Sequence, residues 1–325
     1  MRDLKSELMT GRMAETALEH VRTARTPVEA RPASTVILLR EAPGASQARA
    51  VPAAPAEREV AAVAAAGPEP AAGADGVAGP ETPVGQEAAA GAAGGPEVYL
   101  LRRQRTMAFA AGMTVFPGGR VDPADSAIAD SWSGPPPGEF ADRLGCSAEL
   151  AAAYVAAAVR ETFEESGVLL AGPSTETVVG DTTGADWEAD RVALEAGELR
   201  FADFLHRRGL LLRADLLRAW AHWITPEFEP KRYDTAFFVA ALPAGQLTRD
   251  VTSESDQVAW VRPGDAVAAV DAGETLMLPP TYLSCRDLTQ YDDVAGVLAG
   301  AGDREIRTIM PTVRIDGDQA YLETT

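Results

Sequence analysis

The stretch Ser147–Gly167, reading SAELAAAYVAAAVRETFEESG, constrains the fold more tightly than any other part of the chain. Ser147 can accept the first free backbone N–H groups, the alanines that follow favour a helix, and Gly167 can end it left-handed. A helix is therefore predicted over 148–166. Its last turns carry Glu161, Glu164 and Glu165. Residues three and four apart share a helix face, so these carboxylates project together. Each adjacent pair costs a few tenths of a kcal/mol in repulsion, and all three sit at the helix end that disfavours anions. Two readings answer this: a solvated acidic face, or an oxygen-rich site for a hard cation such as Mg²⁺ or Mn²⁺.

The rest of the chain supplies alternating elements. STVILLRE (Ser34–Glu41) and EVYLLRR (Glu97–Arg103) read as strands. Between them, residues 44–96 are a tract of Ala, Gly, Pro, Val and Glu with no large aromatic anchor, predicted as a disordered loop, with a partly helical insert over 55–66 as the alternative. Residues 1–30 read as a polar leader, helical in part. GMTVFPGGRVDP (Gly112–Pro123) is a short strand that turns at Pro117-Gly118-Gly119. VLLAG (168–172) reads as a strand, 198–209 and 214–220 as a helical pair, and HWIT, YDTAFFVAAL and QVAWVRP as further strands. Helices over 263–273 and 279–291 follow, with a terminal hairpin over 308–324. The alternation predicts an α/β fold with a mixed sheet.

VFPGGRVD followed by AAAVRETFEESGV resembles the signature of the Nudix hydrolases, G-x5-E-x7-R-E-U-x-E-E-x-G-U, where U is apolar. Thr162 stands at one U position. The resemblance implies the Nudix fold, a mixed β-sheet sandwiched between α-helices, in a single domain over 31–325. Residues 44–96 are then an Ala/Gly/Pro-rich insertion and 120–147 a second insertion that splits the signature. It implies Glu161, Glu164, Glu165 and the Gly118 carbonyl as ligands of Mg²⁺ or Mn²⁺, with Arg160 orienting a ligand glutamate. Eight positions before Arg160, where the signature has another glutamate, stands Ala152; Glu149 and Asp122 are the alternatives for its replacement. The split motif, with AHWITPEFEPKRYDTAFFVAALP, ESDQVAWVRP and LMLPPT, resembles the coenzyme A diphosphatase subfamily, which implies metal-dependent cleavage of a nucleoside diphosphate linked to another group, with coenzyme A or acyl-coenzyme A giving adenosine 3′,5′-bisphosphate and (acyl-)4′-phosphopantetheine. Nucleotide sugars, dinucleotides, ADP-ribose or a non-catalytic nucleotide regulator are the alternatives.

Arg102, Arg103 and Arg105, with Arg232 beside Lys231, are the candidate substrate-phosphate ligands, the other reading being surface cations in an acidic protein. Glu254, ahead of Asp256, is the candidate general base. His222 and Trp223 are expected near the pocket, Trp223 chiefly as core. The excess of 48 acidic over 29 basic residues, a net charge of −19, predicts neither nucleic acid nor a membrane surface as partner; a small-molecule nucleotide is the partner that the resemblance implies. A homodimer is left open. Two cysteines, Cys146 and Cys285, make no disulfide framework, and no apolar run approaches a membrane span, so the expected setting is cytoplasmic.

Overall fold

The computed structural model describes residues 6–8, 11–23, 26–43, 94–104, 110–251, 255–317 and 319–324. All but Pro43 and Gly94 fall in one compact unit, formed by Met1–Ala42 and Gly95–Thr325. The tract expected to be disordered lies, over 44–93, outside the described residues.

In chain order the elements are β1 (Ser6–Leu8), α1 (Gly11–Thr23), β2 (Arg31–Glu41), β3 (Pro96–Arg103), β4 (Thr114–Val115), β5 (Gly118–Arg120), β6 (Trp132–Ser133), α2 (Pro137–Leu144), α3 (Ala148–Ser166) and β7 (Ala171–Gly172). Then come α4 (Ala185–Glu195), α5 (Phe201–Arg208), β8 (Leu211–Arg213), β9 (Arg218–Ile224), β10 (Tyr233–Ala241) and β11 (Ser255–Val261). The chain ends in α6 (Pro263–Asp271), α7 (Pro279–Leu288), α8 (Val294–Asp303), β12 (Thr308–Ile309), β13 (Thr312–Asp316) and β14 (Gln319–Glu323).

The central sheet runs β11-β3-β2-β10-β9-β12, with β4 paired to β3 and β5 to β2. Its pairings are mixed: β2 with β10 and β9 with β12 are parallel, while β2–β3, β3–β11 and β9–β10 are antiparallel. β2 reads as a continuous apolar run because both of its faces are covered. Val36 and Leu38 pack with Tyr154, Val155 and Ala158 of α3. Ile37 and Leu39 pack with Cys285 and Leu288 of α7 and Val297 of α8. The sheet is therefore a layer between helices, as expected.

α3 has the predicted ends. Ser147 Oγ accepts from Leu150 N, and Gly167 adopts φ 73°, with its N–H donating to Phe163 O. At the signature's apolar position, buried Thr162 satisfies its hydroxyl by donating to Ala158 O at 2.7 Å. Its polarity is absorbed inside the helix.

Three expectations need correction. Of 168–172, only Ala171–Gly172 is strand. Residues 214–220 are not a helix: Ala214–Leu216 form one 3-10 turn, and β9 begins at Arg218. Ala219–Trp223 are all buried in β9, which lies between β10 and β12; sheet pairing overrides the helix preference of Leu and Ala. Helices α2, α4 and α8 were not anticipated. Within the expected leader, α1 buries Ala17 against Phe228, Ala320 and Leu322, and β1 pairs with β14.

Candidate active site

The C-terminal turns of α3 form one wall of a cavity of about 880 Å³. Glu161, Glu164 and Glu165 line it together with Arg160, Gly118, Gly119, Arg120 and Arg103. Trp223 and Phe237 line it too, and pack in the same apolar cluster as Ile37. The wall is thus acidic and cationic where α3 meets β5, and aromatic where the sheet is exposed to the cavity.

Local sequence explains how α3 and the glycine turn approach. The Pro117 carbonyl accepts from Val36 N at 2.9 Å, fixing the turn to β2. A Cβ on Gly119 would meet the Glu161 carboxylate, and one on Gly118 would run into the Ser34 carbonyl of β2, so Gly118 is where the backbone approach requires glycine. Gly118 N–H donates to Glu165 Oε2 at 2.8 Å. The structure therefore ties Gly118 to Glu165 through its amide; the sequence pointed to its carbonyl.

Arg160 organises the other carboxylates. Its Nη1 donates to Glu161 Oε1 at 2.8 Å and to Glu164 Oε2 at 3.2 Å. Its Nε and Nη2 grip the two oxygens of Asp125 at 3.0 and 2.9 Å, and Nη2 also reaches Arg120 O at 2.9 Å. Such a bidentate, charge-assisted grip fixes orientation as well as charge. Glu164 and Glu165 are each only 6% exposed. Burial, and then the neighbouring Glu161, push the Glu164 carboxyl up to about 8, against the opposing pull of Arg160.

Asp125 is the residue that sequence reasoning missed. It is buried, on the 3-10 turn Pro123–Ser126. Neither expected replacement meets Arg160: Glu149 is exposed at the far end of α3, and Asp122, although it lines the same cavity, caps that 3-10 turn by accepting from Ala124 N at 2.7 Å. A signal was present. Counting the signature backward from Arg160 lands on Ala152, because the extra residues intervene; counting forward, five residues after Gly119 lead to Asp125. On this count the extra length enters after Asp125, rather than at Arg120.

The other candidates scatter. Arg103 lines the cavity. Arg102 does not, and its Nε pairs with Asp256 Oδ1 at 2.7 Å. Arg232 is 9% exposed and donates to the carbonyls of Thr225 and Val28 at 3.0 and 2.7 Å, so it fastens strand ends and stands outside the cavity wall. Arg105 and Glu254 lie outside the described residues. His222 is buried outside the cavity lining, between Asp234 and Thr308. Cys285 is fully buried and Cys146 partly so, both as free thiols.

The donor set suits a hard divalent cation in chemical type and burial: carboxylate oxygens, closely spaced on the cavity wall, two of the three side chains buried. Among the described residues no three acidic, His or Cys side chains converge on one point. Arg160 and the Gly118 amide occupy the oxygens that would turn toward a cation.

Residues 139–288 match the model of the NUDT19 Nudix domain. A putative nudix hydrolase 7 of Caenorhabditis elegans is 29% identical over 196 residues, 60% of this chain and 57% of that protein. An acyl-coenzyme A diphosphatase NUDT19 of Gallus gallus is 28% identical over 252 residues, 65% of each chain. The chain thus spans less than two thirds of the length of either relative. A NUDIX hydrolase from Alicyclobacillus acidocaldarius superposes with a TM-score of 0.59 at 21% identity, over 84% of this chain and 96% of that one. That likeness is one of fold. The split signature, the mixed sheet and the family match point the same way: this chain resembles the Nudix hydrolases and, among them, the coenzyme A diphosphatases.

Proposed function

We propose that the chain is a metal-dependent pyrophosphohydrolase that cleaves a nucleoside diphosphate linked to another group, with coenzyme A or an acyl-coenzyme A as substrate. The observation that carries this is the set of Glu161, Glu164 and Glu165 on one wall of the cavity, two of them buried, with Arg160 locked between the helix and Asp125. Resemblance to the NUDT19 diphosphatases supports the substrate class.

In this reading Glu161, Glu164 and Glu165 hold Mg²⁺ or Mn²⁺. Bound there, a divalent cation polarises phosphate oxygens and makes water more acidic. The chain's own part is placement. Arg160 and the Gly118 amide hold the carboxylates in position; Arg103 and Arg120 supply positive charge on the same wall for the diphosphate. Trp223 and Phe237 offer flat apolar surface to a base or pantetheine arm. Water adds to one phosphorus as the bridging P–O bond breaks, giving adenosine 3′,5′-bisphosphate and (acyl-)4′-phosphopantetheine. Glu254 remains the proposed proton acceptor, and a cytoplasmic, reducing setting suits the two free thiols.

The test is to incubate the purified protein with Mg²⁺ and, separately, coenzyme A, acetyl-coenzyme A, ADP-ribose, NADH and nucleotide sugars, and to identify products by mass. Adenosine 3′,5′-bisphosphate from coenzyme A is expected, with kcat lowered about 10²- to 10³-fold in Glu165→Gln. Turnover of a different member alone moves the substrate assignment. No turnover of any, with Glu165→Gln indistinguishable from the parent, overturns the enzyme reading.

A further inference from the structure

A helix leaves its last carbonyls without intrahelical partners, and α3 adds three glutamates to that electronegative end. Four donors account for much of this terminus. The Gly167 amide bonds Phe163 O at 2.9 Å, Arg191 Nη1 bonds Glu164 O at 2.7 Å, the Arg249 amide bonds Ser166 O at 2.9 Å, and Thr182 Oγ1 bonds Gly167 O at 2.6 Å. Two of these partners are arginines whose side chains share one anion. Arg191 Nη2 and Arg249 Nη1 reach the two oxygens of Glu188, each at 2.7 Å. The Arg249 guanidinium lies so close over Gly167 that a Cβ there would run into it.

Arg191 is 3% exposed; its Nε adds a second bond to Glu188 Oε1 at 3.0 Å, and its Nη1 also donates at 2.9 Å to Glu195, a residue of the cavity wall at the end of α4. Hydrogen bonding by Arg191, ahead of that by Arg249, holds the Glu188 carboxyl below its usual range, so the bridge between them is a charged one. The residue whose carbonyl Arg191 grips is Glu164 itself. Its backbone is pinned from one side by Arg191, while its carboxylate is pinned from the other by Arg160.

We propose that Arg191, Arg249 and the shared Glu188 are positioning residues for the cation site: a guanidinium clasp that sets the C-terminal turn of α3, and with it Glu164 and Glu165, before any cation arrives. It rests on the reading of Glu161, Glu164 and Glu165 as cation ligands. The clasp touches no ligand carboxylate; it acts by supplying positive charge at the negative helix end and by removing freedom from the turn that carries the ligands.

Arg191→Lys keeps the charge but cannot reach Glu164 O, Glu188 and Glu195 at once; Arg249→Lys loosens only the outer half of the clasp. Mn²⁺ binding to the full chain is measured directly from the free-ion electron paramagnetic resonance signal, without substrate, beside far-ultraviolet circular dichroism and the unfolding midpoint. The expected result is Mn²⁺ affinity weakened about tenfold in Arg191→Lys, and less, in the same direction, in Arg249→Lys, with the helix signal retained. Should Arg191→Lys lose its folded signal, Arg249→Lys decides. Variants that stay folded and bind Mn²⁺ as the parent does overturn the clasp. A parent that binds no Mn²⁺ overturns instead the cation reading beneath it.

Discussion

Both halves of α3 bury most of their residues, and they are stabilised in opposite ways. In the first half Ala151 and Tyr154–Ala158 are within 1% of full burial against β2 and the apolar cluster around it, a region where each apolar group removed from water contributes directly. In the second half Glu164 and Glu165 are 6% exposed, and burial there costs free energy that only hydrogen bonds and opposite charge offset. Arg160, the Gly118 amide, Arg191 and Arg249 supply that offset. One half would tolerate being any well-packed helix. The other is a buried cluster of anions held in place by groups from outside the helix as well as by Arg160.

The largest expected break of this contrast is Arg160→Met. It keeps an unbranched apolar stem while leaving buried Asp125 and Glu164 without their cation. Removing one partner from a buried ionic cluster typically costs about 3–5 kcal/mol, and that loss is expected in the free energy of urea unfolding. A loss under about 1 kcal/mol would mean that the acidic half needs no internal cation.

A smaller effect concerns pH. Folding raises the Glu164 carboxyl from 4.5 to about 8, first through burial and then through Glu161. The folded protein therefore binds a proton more tightly than the unfolded chain, so the contribution is fully present below pH 4.5 and is lost as pH rises through 8. Without divalent metal, the unfolding midpoint is expected to fall from pH 5 to pH 8 by roughly 2–4 °C, the response to about 1 kcal/mol in a protein of this size. Millimolar Mg²⁺ is expected to remove the slope, since bound cation offsets the repulsion. Calorimetry across that range checks both, and a midpoint that rises instead contradicts a buried, crowded Glu164.

The contrast also separates what was legible in the sequence from what was not. Helix α3 could be read to the residue because Ser147 and Gly167 mark its ends by local chemistry. The cluster of Glu161, Glu164 and Glu165 could be read because helical spacing alone puts them on one face. Asp125 could not be found by counting back from Arg160, because more than thirty residues loop out between two groups that meet through a bidentate pair. The clasp was hidden for the same reason: Glu188, Arg191 and Arg249 come from α4 and from the segment after β10, and only packing brings them to the end of α3. Residues 214–220 show the reverse failure, since local preference pointed to helix while the place of β9 inside the sheet decided otherwise. In α8, Gly296, Gly300 and Gly302 weaken the helical pattern, and burial of Val294, Val297 and Ala301 restores it.

The mildest test touches the apolar half alone. Ser147 is exposed, and its Oγ accepts from Leu150 N at 3.1 Å; it lies thirteen residues before Arg160, about 20 Å along the helix at 1.5 Å per residue. Ser147→Ala removes one cap bond and nothing from the cavity wall, so a loss of about 0.5–1 kcal/mol in unfolding free energy is expected, with Mn²⁺ affinity and kcat unchanged. If the two halves were one cooperative spring, loosening the first turn would be felt by the glutamates, and Mn²⁺ binding would weaken along with stability. The structure argues against that, because the acidic turn is fastened by groups from outside the helix, Arg191 and Arg249 among them, rather than by the strength of the helix behind it.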